Sequence, residues 1–215
     1  ANRRLADKGA YLEVATRDND LHIGVGSYLE AVKNGENVIK TTQFGAFGEQ
    51  AVEFNDFDAV QGETVEVTKY VSIYTGRDVS TEEIPGAVAE EISAFRRQGF
   101  EEEFKEHQAV YDKLWQEADI QIGGDFELDR AVRFNIFHLM STGNEHDDHV
   151  NVGAKLLTGE EYGGHAFWDT ELFMLPFFAW VFPKTAQNLE NYRYYLLDAA
   201  RENAHKNGFN GAQYP

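Results

Sequence analysis

No cysteine occurs in these 215 residues, which excludes a disulfide framework and any thiolate chemistry. Its absence fits a reducing, cytoplasmic setting. Basic residues are also scarce, with 19 Lys and Arg facing 37 Asp and Glu for a formal net charge of −18. Such a field repels phosphates, so nucleic acid and anionic membranes are disfavoured as partners. An anionic small substrate then needs a pocket whose local field opposes the global one. Long apolar runs are missing too. The longest, 166–182, is interrupted by Asp169, Thr170, Glu171 and Pro176 and does not read as a membrane span. The opening ANRRLADKGA has no apolar signal core and no starting Met, and the chain stops at GAQYP without a tapering polar tail. These ends lead us to expect a fragment of a longer chain.

What is present suits a folded protein. Hydrophobic residues make up 42% and aromatic residues 13%, enough to bury a substantial core in one large domain or parts of two. Residues 1–80 read as β structure. Short runs at 12–14, 21–23 and 51–54 are separated by the turn signals RDND and NGEN. The clearest strand is 64–75, where Val65, Val67, Val71 and Ile73 alternate on one face. This pattern predicts antiparallel sandwich strands with one wet face.

At Pro85 the spacing turns helical. Val88, Ile92 and Phe95, then Phe100, Phe104, Tyr111 and Trp115, mark two helices with a break at Gly99. A helix beginning near Asp125 carries Leu128, Val132, Ile136 and Leu139. Residues 144–164 read as a long loop. An apolar helix over 168–181 follows, and Pro183 opens an amphipathic helix closed by Gly208. The expected organisation is β structure over 1–80, a helical linker over 81–118 and the start of a helical domain over 119–215.

Asp169 and Glu171 are the chemical puzzle, because they interrupt EEYGGHAFWDTELFMLPFF where it is otherwise apolar. A buried carboxylate is costly unless paired or hydrogen-bonded. One solution is a helix N-terminus, where acids meet unpaired N–H groups. The other is a polar ligand in an aromatic pocket. Two residues apart on a helix, the two acids point in different directions and cannot form one clamp. Trp168-Asp169 is the better unit, with an indole to stack on a sugar face and a carboxylate to accept from ring hydroxyls. His146, Asp147, Asp148 and His149, with His138 and His165 in the neighbourhood, could suggest a metal, but no HExxH-type frame is present and none is expected. Gly163-Gly164 could present N–H groups to an anion, although a close turn is the simpler reading. There is no GxSxG, P-loop, GxGxxG or basic aromatic-spaced patch.

WQEADIQIGGD, RFNIFHL, GAKLLTGEEYGGHAFWDTELFMLPFF, NYRYYLLDAAREN and NGFNGAQYP, in that order, resemble glycoside hydrolase family 65, the inverting α-glucoside phosphorylases. The GGHAFWDTE version is more similar to the kojibiose and trehalose phosphorylases than to the maltose enzymes. Upstream, KYVSIYTGRDV resembles the end of the family's N-terminal β-sandwich. The resemblance implies a multidomain β-plus-α fold: the end of a β-sandwich, a helical linker and the first helices of an (α/α)6 barrel. It implies that Trp168 and Asp169 bind the glucosyl unit, with Asp169 on hydroxyls O4 and O6. Tyr162, His165, Thr170 and Glu171 would be site supports. It further implies a homodimer using an α-linked glucose disaccharide and inorganic phosphate as co-substrates; no cofactor or metal is expected, in the cytoplasmic setting that the lack of cysteine suggests.

The acid Glu and the phosphate-binding residues of the family's pattern are not matched here and are expected beyond Pro215. The 215 residues alone should therefore be inactive and fold poorly, with the face of Phe177, Phe178 and Trp180 uncovered. The alternatives are a trehalose-type hydrolase of the same family and a non-catalytic carbohydrate-binding protein.

Overall fold

A computed structural model describes residues 2–4, 9–47, 50–155 and 161–214. Of the motifs quoted above, 156–160 and Pro215 lie outside the described residues. The chain divides into two compact units, Ala1–Gln108 and Ala109–Pro215.

The first unit contains strands β1 (Asn2–Arg4), β2 (Ala10–Ala15), β3 (His22–Lys33), β4 (Glu36–Asn37), β5 (Thr41–Phe47), β6 (Gln50–Asp56) and β7 (Glu66–Thr75). Every pairing is antiparallel. β1, β2, β3, β4 and β7 form a five-stranded sheet centred on β3, and β5 pairs with β6 separately. The β3–β4 hairpin turns at Asn34-Gly35, both at positive φ (51° and 84°), as a two-residue hairpin turn demands. Sequence reading reached only the start of β3, because Gly24 and Gly26 break its apolar alternation. It passed over β5, whose TTQFGAF has no period-two stripe.

Helix α1 (Ile84–Gln98) packs on one face of this sheet. Val67, Val71 and Ile73 are 50%, 43% and 60% exposed, so the valine stripe of β7 is not the packed face. The opposite face, carrying Tyr70, Ser72 and Tyr74, lies under α1. The physical reason is on β3. Gly24 pairs with Tyr74 and Gly26 with Ser72 across the sheet, and the two glycines leave a floor without side chains. An added Cβ would meet Ile84 at 2.4 Å from Gly24 and Val88 at 2.3 Å from Gly26. Tyr11, Ile84, Val88 and Ile92 are fully buried there. The Ser72 hydroxyl donates to Glu91 of α1, satisfying the polar group in that seam.

Gly99, at φ 84° and ψ 160°, separates α1 from α2 (Phe100–Ala118) as expected, and the boundary between the two units falls inside α2. In the second unit α3 (Phe126–Met140) starts at Asp125, whose carboxylate accepts from the Leu128 N–H at 3.0 Å. Ala118, Ile136 and Met140 form one cluster, and Val152, Phe178, Ala186 and Leu189 a second.

The expected helix over 168–181 is a π-turn, Thr170–Met174, continued by α4 (Leu175–Val181). The expected single helix after Pro183 is two, α5 (Pro183–Tyr195) and α6 (Leu197–Lys206), broken at Leu196. Gly208, at φ 79°, follows α6. The expectation of an uncovered Phe177–Phe178–Trp180 face holds only in part. Phe178 is 1% exposed and Trp180 is 89% exposed, while Phe177 is half-buried between both clusters. Phe178 is enclosed because Gly143 brings backbone against its ring, where a Cβ would come within 2.7 Å.

Candidate functional site

The loop preceding Trp168 is held by side chains from α5. Asp148 accepts from the Tyr195 hydroxyl at 2.7 Å, from Asn191 at 3.1 Å and from His149 Nδ1 at 2.7 Å. The His149 ring stacks on Tyr195 at 4.8 Å. These bonds, led by that from Tyr195, hold the Asp148 carboxyl below its ordinary range, and the bond to Asp148 pushes the Tyr195 hydroxyl up. Asn188 of α5 donates to the Asn144 carbonyl at 3.1 Å. The loop is thus built on a helix that follows it in sequence.

The chain next turns at Tyr162 and Gly163, both left-handed (φ 63° and 59°), with the His165 N–H donating to the Tyr162 carbonyl at 3.0 Å. Gly163-Gly164 therefore lies in a close turn and opens no helix. Tyr162 packs edge-on against Phe167 at 5.7 Å and His165 does so at 6.4 Å, which steadies the stretch leading to Trp168. Thr170 is 1% exposed and its hydroxyl donates to the Val152 carbonyl at 3.0 Å. It ties the π-turn to the loop rather than lining a cavity.

Trp168 stands between two hollows. One, of about 400 Å³, is lined by Ala154, Lys155, Tyr162, Phe167, Trp168 and Asp169. The other, of about 460 Å³, is lined by Trp168 with Glu171, Glu190, Arg193, Tyr194, Leu197 and Tyr214. The indole is 59% exposed. Asp169 has helical backbone angles (φ −57°, ψ −38°) and makes no cap hydrogen bond, so the helix-cap explanation fails for it. Among the described residues none donates to its carboxylate, which lines the first hollow. An aromatic wall beside a carboxylate suits a polyol with one apolar face.

Glu171 faces the second hollow, as the two-residue separation from Asp169 requires. Its charge has a partner. Arg193 of α5 gives it two hydrogen bonds, Nε at 2.7 Å and Nη2 at 3.0 Å, the bidentate geometry a guanidinium favours. Arg193 Nη2 also donates to the Phe167 carbonyl at 2.9 Å. Sequence reading missed Arg193, because nothing local marks one Arg in NYRYYLL and its partner lies 22 residues earlier. Lys155 and Tyr214, which line the two hollows, were missed for the same reason. Asp147, Asp148 and His149 bring possible ligand atoms within 4.8 Å of one another, the one such group among the described residues. His138 and His165 are not part of it, and Asp148 is already engaged by α5.

Two family models match the chain: glycosyl hydrolase family 65, N-terminal domain, over residues 1–114, and its central catalytic domain over 133–215. The chain belongs to glycosyl hydrolase family 65. It is 48% identical over 218 residues to kojibiose phosphorylase from Thermoanaerobacter brockii, covering 100% of this chain and 28% of that protein. It is 39% identical over 160 residues to alpha,alpha-trehalose phosphorylase from the same organism, covering 74% of this chain and 20% of that protein. Maltose phosphorylase from Bacillus subtilis is 36% identical over 200 residues, which is 86% of this chain and 26% of that one. A solved structure assigned provisionally to kojibiose phosphorylase, from human microbiome, shares the fold with a TM-score of 0.77 at 22% identity, over 100% of this chain and 28% of that one. The chain thus spans 28% of the length of that kojibiose phosphorylase from T. brockii. Its antiparallel sheets followed by helices are the N-terminal β domain and the start of the family's helical barrel. No helix among the described residues is long and apolar enough to cross a membrane.

Proposed function

We propose that these residues serve an inverting disaccharide phosphorylase that cleaves an α-glucoside with inorganic phosphate. The single observation that carries the reading is Trp168 beside Asp169 in one hollow, with the indole exposed and no donor to the carboxylate among the described residues. In this reading the indole stacks on the glucosyl ring and Asp169 accepts from its O4 and O6 hydroxyls. A Glu outside the 215 residues protonates the glycosidic oxygen while phosphate attacks the anomeric carbon from the opposite face. The C–O bond breaks as the C–O–P bond forms, giving β-glucose 1-phosphate and a free acceptor sugar. Phosphate is already a nucleophile, so no carboxylate base is needed to activate water.

The proposed organisation is sandwich over 1–80, linker over 81–118 and barrel from 119 onward, in a cytoplasmic homodimer without cofactor or metal. Similarity to kojibiose, trehalose and maltose phosphorylases supports the substrate class, with kojibiose or trehalose favoured.

The test is made on the full-length protein. Kojibiose, trehalose, nigerose and maltose are supplied with and without phosphate, and β-glucose 1-phosphate and free glucose are measured. Phosphate-dependent sugar phosphate from one disaccharide is expected. Phosphate-independent glucose would instead indicate a hydrolase. Trp168→Ala and Asp169→Ala should each weaken disaccharide binding by about 10-fold or more, the scale of a lost charged hydrogen bond or buried stacking contact. Unchanged binding in both would remove the sugar role.

A further inference from the structure

The geometry points to Arg193 as the positioning residue of this site, a side chain that sets the turn presenting Trp168 and Asp169 without touching the sugar itself. The inference rests on the sugar-binding reading above. One guanidinium grips the chain on both sides of the Trp-Asp pair, taking the Phe167 carbonyl at 2.9 Å before it and the Glu171 carboxylate at 2.7 and 3.0 Å after it. The side chain is 10% exposed, so these bonds are little weakened by competing water. Arg193 is itself fixed. It sits in α5, and its own carbonyl accepts from the Tyr214 hydroxyl at 2.9 Å. The rings of Tyr192 and Tyr214 lie 5.8 and 5.7 Å from the guanidinium carbon, a distance at which cation–π attraction operates.

This arrangement explains Glu171. Its carboxylate lies at the wall of the second hollow because it is the anchor for Arg193. Asp169, two residues away, takes no hydrogen bond from Arg193 and lines the first hollow instead. Between the two anchors the backbone enters the π-turn, an irregularity that commonly marks a functional position. A planar fork is required, because three hydrogen bonds leave it in fixed directions. A Lys at 193 keeps the charge but cannot make the parallel pair and the carbonyl bond together.

The experiment compares Arg193→Lys, Glu171→Gln and Asp169→Ala in the full-length protein. It measures KM for the disaccharide, KM for phosphate and the dissociation constant for glucose. Arg193→Lys should raise the disaccharide KM and the glucose constant by about 10- to 100-fold, since a small misplacement of a binding group costs that much, and should leave the phosphate KM unchanged. Glu171→Gln keeps the shape and the Phe167 bond and should raise them by a smaller factor. A purely structural role would lower the melting temperature and the active fraction while leaving both KM values as in the wild type, and that result overturns the inference. If Arg193→Lys does not fold, Glu171→Gln decides: an unchanged disaccharide KM again overturns it. If Asp169→Ala leaves glucose and disaccharide binding intact, the sugar reading itself has failed, and Arg193 loses its role with it. Loss of sugar binding in Asp169→Ala alone, with Arg193→Lys and Glu171→Gln at wild-type values, refutes only the positioning role.

Discussion

Replacing Gly26 by Ala should loosen helix α1 from its sheet. The backbone at Gly26 is not left-handed, so Ala meets no conformational objection there, and the effect is one of space. The new methyl would lie 2.3 Å from Val88 Cγ1 and 2.9 Å from Ile92 Cδ1, where ordinary contact begins at 3.4 Å. Ile92 can rotate its terminal methyl. Val88 cannot give way in the same manner, because its β-branched side chain is stiff and fully buried. The helix must therefore lift or the strand bend, a strain of about 1–3 kcal/mol for overpacking a close-packed core. Against this, Gly→Ala restricts the unfolded chain and returns about 0.4–1 kcal/mol. The expected net loss is about 1–2 kcal/mol, or a fall of roughly 0.5–1 M in the urea midpoint. Trp115, Trp168 and Trp180 all lie in the second unit. Hydrogen exchange of the β3 and β7 amides is therefore the assay for the first unit. Val88→Ala removes the obstructing methyls, so the double variant should recover stability, with a coupling of about 1 kcal/mol or more in a double-mutant cycle. Wild-type exchange in Gly26→Ala, or strict additivity with Val88→Ala, would refute the glycine-floor account of how α1 is seated.

Two further outcomes are expected. Asp148 has a native pKa below its ordinary value, so the stability it contributes is present above about pH 4 and is lost as pH falls through the native value. Tyr195 is raised, so its contribution persists below about pH 10 and is lost as pH rises through the native value. Protection of the 144–155 amides should follow that window, and Asp148→Asn should lower it at neutral pH; flat protection from pH 7 to pH 3 would contradict this. Phe178→Ala should destabilise the second unit by about 3–5 kcal/mol, because a buried aromatic ring is lost from around Gly143. Tryptophan fluorescence in a urea titration reads it, and a change below about 1 kcal/mol would mean that the cavity closes.

The change from strands to helices near Pro85 was legible in the sequence because it is written in local periodicity. The turn at NGEN, the break at Gly99, the Asp125 start of α3 and the stop near Gly208 all depend on residues within a few positions of one another. The Trp168-Asp169 pair stood out for a similar reason, since a carboxylate in an apolar run demands an explanation wherever it folds. What the tertiary structure decided are pairings of residues distant in sequence. Which face of β7 is covered depends on two glycines on β3, since a helix settles where no side chain stands in its way; the valine stripe, though more apolar, was not that place. Likewise Asp169 and Glu171 are alike in the sequence and are distinguished chiefly by Arg193, 22 residues after Glu171. A guanidinium from another helix pairs with one carboxylate and not with its neighbour, and only the folded chain could make that distinction.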